Sequence, residues 1–567
     1  MKRRYRRYTF LAPLIVVLEV LMDVSIPYVM SLLINNGIGK GDIGYVLRYG
    51  LLMVGLSIVS LLFGILSVRL GTMAGTGFSK GVRERLFHKV QDFSFASADR
   101  FSIASLVTRL TTDVGNVEMA FTMCLRMLVR SPVMLVSATA MALFMNARLA
   151  AVFLLAIPLI GFSFFYIILR AYPLFQQMLE RMDGLNGRVQ ENLNAIRVVK
   201  ALVREDYEIE RFEQQAQDLK EAQIRAERLL IWNQPVMNLA MYACMIAISW
   251  FGGILIVQGQ METGDLMSFI SYVTQILMSL MMLSRIFIVL ITSRASAMRI
   301  VEVLDTPVDL NDDAADPALA PQDGSIVFEG VGFGYYGEER LILNDINLSI
   351  RAGETVGIIG GTGSAKSTLV QLIPRLYDVQ RGRVLVGGHD VRDYKFETLR
   401  GAVAMVLQKN VLFSGSVREN LRWGNEQATD EELEAACRAA QAHDFVTELP
   451  QGYDTELGQG GVNLSGGQRQ RLCIARALLC KPKILILDDS TSAVDTLTDS
   501  RLRAALSERH QGVTTLIIAQ RISSLTNADR IVVMEGGRIE AVGTHEQLLE
   551  SSAIYREVYE TQLKGVA

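Results

Sequence analysis

Residues 356–373 read Val-Gly-Ile-Ile-Gly-Gly-Thr-Gly-Ser-Ala-Lys-Ser-Thr-Leu-Val-Gln-Leu-Ile, and they indicate how the C-terminal half folds. An apolar run ending at Ile359 precedes a glycine-rich loop with a lysine, and an apolar pattern typical of a helix follows Thr368. A strand, a loop and a helix in this order form a P-loop, whose backbone N–H groups point at phosphate oxygens. The sequence therefore predicts an α/β domain that binds phosphate groups.

A second motif makes an accidental match negligible. The pentapeptide Leu464-Ser465-Gly466-Gly467-Gln468 is followed by the apolar run Ile484-Leu485-Ile486-Leu487, which ends at Asp488. Together with the P-loop, this pattern resembles the ATP-binding cassette (ABC) family, and the resemblance implies ATP and Mg²⁺ as cofactors. The residues expected to bind ATP are Tyr335, Gly360, Gly361, Thr362, Gly363, Ser364, Ala365, Lys366, Ser367, Thr368 and Gln408.

Roles within this set come partly from P-loop chemistry and partly from the resemblance. We expect Lys366 to reach the β- and γ-phosphates, and Ser367 and Asp488 to hold Mg²⁺. The resemblance implies that Tyr335 stacks on adenine and that Gln408 is the Q-loop glutamine, which contacts the nucleotide and the metal. The implied signature residues, which act in catalysis, are Ser465, Gly466, Gly467 and Gln468, and residues 492–495 match the D-loop.

The N-terminal half has the hydropathy of a membrane domain, since the chain is 50% apolar and its mean hydropathy is positive. Apolar stretches near or above the roughly 20 residues that cross the hydrocarbon recur along it. We predict six spans, at 10–33, 49–68, 131–147, 149–169, 229–261 and 266–284. The two long connections, 69–130 and 170–228, carry 9 and 10 Lys or Arg, so the positive-inside rule makes them and both termini cytoplasmic.

Six spans fused to one cassette resemble a half-transporter of the ABC exporters. The predicted fold class is therefore a multidomain membrane protein. It combines an all-α transmembrane domain of six helices, with long cytoplasmic helical extensions, and an α/β P-loop cassette. We expect the transmembrane domain with its two coupling loops at 1–304, a linker with six aspartates at 305–323, and the nucleotide-binding domain at 324–567.

Two carboxylates interrupt the first predicted span. Glu19 and Asp23 stand four residues apart, so they lie on one face of a helix. Carboxylates inside a membrane are costly and usually face a cavity or a partner. Two interpretations stay open, namely contact with a cationic or polar substrate and a hydrogen bond between helices.

Three positions depart from the pattern of the family. A glutamate normally follows the Walker-B aspartate and orients the attacking water, but this chain has Asp489, whose carboxylate is drawn back by roughly 1.5 Å. The family's switch histidine is replaced by Gln520, a neutral amide. Ala365 stands where the P-loop expects glycine, at a cost of roughly 1–2 kcal/mol if the residue must be left-handed.

All three departures lie on the Walker side, whereas the signature is intact. Cassettes of this family pair head to tail, so each ATP lies between the Walker motifs of one chain and the signature of the other. We therefore predict the degenerate-site subunit of a heterodimeric, multidrug-type exporter, with Asp489 and Gln520 at the catalytic positions of a slow site. Such an ATP-hydrolysing translocase would export a small amphipathic molecule across the plasma (inner) membrane.

Other functions remain as alternatives. One is a lipid or peptide exporter of the same fold, and another is an ATP-binding membrane regulator with little transport. A soluble mechanical ATPase is excluded by the predicted spans and by the lack of a long coiled-coil pattern. The expected partners are a second ABC half-transporter, membrane lipid and the amphipathic substrate. The net charge of −3 does not suggest nucleic acid, and the 5 cysteines lack metal-ligand spacing.

Overall fold

The computed structural model describes residues 3–335, 340–489, 496–509 and 512–564. The chain forms two compact units. The membrane unit comprises Met1–Gln91 and Ile103–Thr306, and the cassette unit comprises Asp92–Ser102 and Pro307–Ala567. A short segment of the first long loop therefore belongs to the cassette unit. The domain and linker boundaries expected from the sequence stay a prediction.

The membrane unit consists mainly of long helices. Of the helices before residue 306, α3 (Phe95–Arg100) in the first loop belongs to the cassette unit. The helices of the membrane unit are α1 (Arg3–Leu32), α2 (Ile43–Gln91), α4 (Ile103–Thr108), α5 (Val114–Met145), α6 (Ala147–Asn194), α7 (Ile196–Ala201), α8 (Glu205–Ile231), α9 (Asn233–Val257) and α10 (Thr263–Asp305). Most of them run far past the predicted spans, because hydropathy marks contact with lipid and not the end of a helix. For example, α2 continues to Gln91 with no proline to stop it.

Within the described residues, five helical segments are long and apolar enough to cross a membrane, where the sequence predicted six. They are Tyr5–Ile38, Ile43–Gln91, Ile103–Met145, Glu205–Val257 and Thr263–Asp305. The predicted fourth span, 149–169, falls on α6, where the apolar helix that is found is the shorter Ala147–Ser163. That segment covers only described side chains, and α6 itself continues to Asn194, so the fourth predicted span stays a prediction.

The kink-prone part of α1 is supported by α10. Pro27 has no N–H, so the carbonyl oxygen of Asp23 loses its partner within the helix. The side-chain amide of Gln275 donates to this carbonyl at 3.4 Å, and the hydroxyl of Tyr272 donates to the carbonyl of Val24 at 2.9 Å. Gln275 thus supplies the donor that the proline removes, and Tyr272 adds a second bond from α10 at the next carbonyl.

The carboxylates of α1 belong to an ion cluster with α2 and α5. The guanidinium of Arg130 pairs with Glu19 through one nitrogen and with Asp23 through the other, the latter at 2.7 Å. The hydroxyl of Ser67 donates to Glu19 at 3.1 Å, and the hydroxyl of Ser60 donates to Asp23 at 2.5 Å. Of the two interpretations open from the sequence, the structure therefore supports a bond between helices.

The cassette unit is built on two main sheets. Its strands are β1 (Ile326–Phe333), β2 (Leu343–Ile350), β3 (Thr355–Gly360), β4 (Arg381–Val386), β5 (His389–Asp390), β6 (Val403–Val406), β7 (Gly415–Ser416), β8 (Glu456–Leu457), β9 (Ile484–Asp488), β10 (Thr514–Ile518), β11 (Arg530–Glu535) and β12 (Arg538–Gly543). Its helices besides α3 are α11 (Lys366–Gln371), α12 (Phe396–Ala402), α13 (Val417–Arg422), α14 (Asp430–Ala439), α15 (His443–Glu448), α16 (Gly466–Leu479), α17 (Thr496–Arg509), α18 (His545–Ser551) and α19 (Ala553–Lys564).

The larger sheet positions the site. Its order is β12-β11-β3-β10-β9-β6, and β3, β10, β9 and β6 are parallel neighbours. Parallel strands end at the same edge, where open α/β sheets bind their ligands. The segments that follow these four strands contain the P-loop, Gln520, Asp489 and Gln408. The sequence motifs are far apart along the chain, but the sheet delivers them to one edge.

Candidate nucleotide-binding and catalytic site

The P-loop begins at the end of β3, and its backbone demands small residues. A Cβ added to Gly360 would collide with the carbonyl oxygen of Met534 on the neighbouring strand, and Gly363 has a φ of +83°. Ala365 has φ 68° and ψ 24°, which is the left-handed region. Alanine at position 365 therefore costs the roughly 1–2 kcal/mol expected for a residue with a Cβ in the left-handed region, where the family has glycine. Thr362 and Gly361 are exposed at the tip of the loop.

Lys366 folds back over this loop. Its ammonium donates to the carbonyl oxygens of Gly360 at 2.9 Å and Gly361 at 2.8 Å, and to the hydroxyl of Ser364 at 3.3 Å. Burial lowers the pKa of Lys366, although the negative charges of Asp488 and Asp489 act in the opposite direction. A phosphate anion beside the ammonium would favour its charged form. The geometry thus fits the predicted role of this lysine.

Ser367 and Asp488, the predicted Mg²⁺ residues, are in direct contact. The hydroxyl of Ser367 donates to the carboxylate of Asp488 at 2.9 Å, and Asp488 is only 2% exposed. Burial raises the pKa of Asp488, and the neighbouring charge of Asp489 adds to the rise, while the Ser367 bond opposes it. A cation at these oxygens would relieve this cost. Mg²⁺ prefers oxygen ligands and usually takes one or two carboxylates plus phosphates and waters, so the pair fits the ion.

Tyr335 stands beside the P-loop helix. Its hydroxyl lies 3.1 Å from the hydroxyl of Thr368, and its ring is 41% exposed. The ring of Tyr377 packs edge-on against this ring with the centroids 5.2 Å apart, and the ring of Phe95 of α3 lies 6.1 Å from that of Tyr377. An exposed aromatic ring held by such neighbours can stack on a base. The sequence did not indicate Tyr377 or Phe95, because single aromatic residues carry no motif.

Asp489 is held by two amides. The side-chain nitrogen of Gln520 donates to one carboxylate oxygen of Asp489 at 2.9 Å, and that of Gln408 donates to the same oxygen at 3.3 Å. The backbone of Asp489 is left-handed, with φ 48°. The structure therefore brings the two substituted positions, 489 and 520, into contact. It places the amide of Gln408 on Asp489, whereas the expected contact of Gln408 with the metal remains a prediction.

Sequence reasoning missed one residue at this point. Gln470 on α16 is buried, and its amide donates to the backbone carbonyl of Asp489 at 3.3 Å. The only available signal was its position two residues after the signature pentapeptide. This bond joins the signature helix to the Walker side of the same chain.

The signature residues form the start of α16. Ser465 is the N-cap, and its hydroxyl accepts from the N–H of Gln468 at 3.3 Å, while the side-chain oxygen of Gln468 accepts from the N–H of Ser465 at 2.9 Å. This capping box commits Gln468 to positioning the helix start. Gly466 and Gly467 form the first turn of that helix. In the described part of the chain, no hydrogen bond joins these residues to the P-loop, and the D-loop at 492–495 lies outside the described residues.

Comparison with known proteins agrees with this geometry. Residues 9–280 match the ABC transporter transmembrane region, and residues 343–492 match the ABC transporter domain. An uncharacterised ABC transporter ATP-binding protein of Bacillus subtilis, YfiB, is 38% identical over 98% of this chain and 97% of that protein. An ATP-dependent lipid A-core flippase of Desulfotalea psychrophila is 34% identical over 86% of this chain and 85% of its own.

A solved structure agrees over the whole length. A bacterial Atm1-family ABC exporter with ATP bound superposes with a TM-score of 0.86 at 26% identity, and the match covers 98% of this chain and 99% of that one. The helical unit, the cassette unit and the nearly complete coverage are those of a membrane-spanning half-transporter. This chain belongs to the ABC transporter family and has the architecture of an ABC exporter.

Proposed function

We propose that this chain is the slow-site subunit of a heterodimeric exporter in the plasma (inner) membrane. It binds Mg·ATP at its own Walker motifs, turns it over slowly there, and lends its signature to the faster site of a partner half-transporter. The cassette and both termini face the cytoplasm. The proposal rests on the contact among Asp489, Gln520 and Gln408. The two amides donate hydrogen bonds to the carboxylate of Asp489, which stands where the family has the general base that deprotonates the attacking water.

A general base must lie within about 2.6–3.2 Å of the proton that it takes. The carboxylate of Asp489 is one methylene shorter than that of the family's glutamate, and one of its oxygens already accepts from two amides. A base that is misplaced by about 1 Å can cost on the order of a hundredfold in rate. Gln520 is neutral, so it cannot place a positive charge near the γ-phosphate as a histidine can. Both effects slow hydrolysis without removing ATP binding.

The arrangement of the P-loop and Mg²⁺ residues supports ATP binding, in contrast to the weakened catalytic base. Lys366 lies over the P-loop, Ser367 contacts Asp488, and Ala365 is strained in the left-handed region, an arrangement that supports binding of ATP and Mg²⁺. In the signature motif, Ser465 is held at the start of α16 by its capping box. A subunit with a retained nucleotide cradle, a weak base and an intact signature fits best opposite a chain with a complete Walker side.

The proposed substrate is an amphipathic compound. Both a multidrug exporter, the first candidate, and a lipid exporter, the second, transport compounds of this kind. The second candidate is favoured by one specific finding, the identity of 34% with an ATP-dependent lipid A-core flippase over 86% of this chain. Transport of a fluorescent phospholipid and of a cationic dye in vesicles separates the two. A regulator with little transport would move neither.

The test of the slow site is the ATPase rate of the purified full-length chain. Alone, it should hydrolyse ATP slowly. Asp489→Glu should raise its rate only by roughly tenfold, because the longer side chain regains reach but Gln520 stays neutral. Adding Gln520→His should raise the rate further. Rapid hydrolysis by the unmodified chain without a partner would show that Asp489 is a sufficient base and would refute the proposal.

The test of the partnership uses the signature. Ser465→Ala should lower the ATPase rate of the complete transporter by about a hundredfold, since the serine would contact the γ-phosphate held by the partner. In that same complex, Asp489→Asn should change the rate much less. Mass measurement of the purified complex should find a second half-transporter chain with glutamate after its own Walker-B aspartate. Equal losses from both substitutions would argue for two equivalent sites.

A further inference from the structure

The backbone of Asp489 is strained. Strand β9 ends at Asp488, and the next residue, Asp489, has a φ of 48°, in the left-handed region that residues with a Cβ rarely adopt. Such a conformation persists only where the surrounding structure over-determines it, and it occurs most often at functional sites. The contacts that hold Asp489 in this conformation therefore decide where its carboxylate stands.

Two hydrogen bonds hold the backbone of Asp489, one on each side of its Cα. Its N–H donates to the carbonyl oxygen of Ile518 on β10 at 3.0 Å, and its own carbonyl oxygen accepts from the side-chain amide of Gln470 on α16 at 3.3 Å. These bonds orient the two peptide planes that meet at the Cα, and the direction of the Cα–Cβ bond follows from those planes. The amides of Gln520 and Gln408, by contrast, act at the far end of the side chain.

Packing does not account for an amide at position 470. Gln470 is 1% exposed, and its side-chain oxygen is buried without a hydrogen-bond partner among the described residues. A buried polar atom without a partner costs stability, so an apolar side chain of the same length would fill this position at lower cost. In the described part of the chain, the side chain of Gln470 makes one hydrogen bond, the bond to Asp489.

The helix that carries Gln470 is firmly fixed. The capping box of Ser465 and Gln468 holds its first turn, and Cys473 and Ile474 in the following turns are buried in the core of the cassette unit. A donor on a packed helix is held more precisely than one on a loop. Gln470 therefore gives the residue after β9 a fixed point of attachment.

We propose that Gln470 is a positioning residue for ATP hydrolysis. Its amide holds Asp489 in the left-handed backbone and thereby sets the point from which the carboxylate reaches the attacking water. The assignment of Asp489 as the base rests on the function proposed above. Among the described residues, no hydrogen bond joins Gln470 to the P-loop or to Asp488, so binding of Mg·ATP should not depend on it.

The experiment replaces Gln470 with methionine in the purified full-length protein. Methionine has a similar length but no N–H donor, and it also removes the unpaired oxygen. Single-turnover hydrolysis of radiolabelled ATP gives the rate of hydrolysis, and a fluorescent ATP analogue gives the affinity. Gln470→Met should lower the rate about tenfold with the affinity unchanged, since displacing a catalytic group by about 1 Å can cost on the order of a hundredfold. Gln427→Met, at an exposed position of the cassette unit, is the matched control and should change neither quantity.

A double-mutant cycle separates positioning from a general loss of structure. In the Asp489→Asn background, which has no base to position, Gln470→Met should cause no further loss. In the Asp489→Glu, Gln520→His background it should again lower the rate about tenfold, because the longer carboxylate depends on the same backbone. The melting temperature, compared with that of Gln427→Met, checks folding, and Gln470→Leu takes the place of Gln470→Met in the cycle if methionine prevents folding.

The proposal is overturned by an unchanged rate in Gln470→Met, by an equal loss in the Asp489→Asn background, or by a loss of ATP affinity that accounts for the lower rate. It also falls if Asp489→Asn alone leaves the rate unchanged, because Asp489 is then not the base. Rapid hydrolysis by the unmodified chain would refute the slow site but not the role of Gln470, since the cycle compares ratios of rates.

Discussion

Replacing Arg130 with leucine should destabilise the membrane unit strongly. The guanidinium neutralises two carboxylates at once, and the side chains of Glu19 and Asp23 are only 11% and 22% exposed. Without the cation, the hydroxyls of Ser67 and Ser60 still donate to the two carboxylates, and the charge of Arg126 acts on Glu19 without a hydrogen bond in the described residues. Removing one partner of a buried ion pair typically costs 3–5 kcal/mol. Because the side chain of Arg130 is itself 33% exposed, we expect the lower end of this range, about 3 kcal/mol.

Thermal unfolding of the purified protein measures this loss. A destabilisation of about 3 kcal/mol corresponds to roughly 6–12 °C for a domain of this size. The control is Arg148→Leu, because Arg148 is exposed and, among the described residues, its guanidinium donates to the exposed side chain of Gln260 at 3.2 Å and forms no ion pair. That change should stay within about 0.5 kcal/mol. The charge-neutral triple variant Arg130→Leu, Glu19→Gln, Asp23→Asn should recover most of the loss, because no buried charge is left unpaired.

Two results would refute this reasoning. If Arg130→Leu lowers the melting temperature no more than Arg148→Leu, the cluster is not a structural element of the helix bundle. If the triple variant remains as unstable as Arg130→Leu, the loss comes from packing and not from unpaired carboxylates. A structural role also predicts that Glu19→Gln leaves the stimulation of ATPase activity by substrate unchanged in protein that remains folded.

Three further outcomes can be checked separately. Ala365→Gly should stabilise the cassette unit by roughly 0.5 kcal/mol, since the relief of left-handed strain exceeds the entropy gained by the unfolded chain. The control Ala435→Gly, in the middle of α14, should destabilise it by about 1 kcal/mol. Both changes are measured from the denaturant concentration at the unfolding midpoint. A cysteine at Lys40 should react with an impermeant thiol reagent in intact cells, and one at Ala216 should not. Because burial raises the pKa of Asp488 above the ordinary 3.8, Mg²⁺-dependent binding of a fluorescent ATP analogue should weaken on acidification already above that pH, and Asp488→Asn should reduce this dependence to the part that comes from protonation of the nucleotide.

The cassette could be predicted well because its information is local. A P-loop is a continuous stretch in which glycine positions, the lysine and the following helix all lie within a few residues. The strand that ends at Asp488 is an uninterrupted apolar run, as expected for a buried parallel strand. These patterns fix secondary structure and chemistry together, so the fold followed from them.

Contacts between distant segments could not be predicted in this way. The sequence placed Glu19 and Asp23 on one face, but their partner Arg130 is 111 residues away from Glu19 and lies at the edge of a predicted span. Gln470 likewise carries no motif of its own, and only the fold brings it to the carbonyl of Asp489. The predicted long helical extensions are present, but hydropathy reports only where side chains meet lipid, so it could not give the residues at which these helices end. Tertiary packing decides these features.

The two departures at the catalytic edge must be considered as one unit. Gln520 donates to Asp489 at 2.9 Å, so the shorter carboxylate and the neutral amide stabilise each other in the present arrangement. Gln520→His alone would remove this amide bond, and Asp489→Glu alone would push a longer side chain against Gln520. Residues in contact usually show interaction energies of about 0.5–3 kcal/mol in double-mutant cycles. On the proposed assignment of a slow site, full recovery of hydrolysis therefore requires both changes together, because Asp489→Glu alone should regain only roughly tenfold.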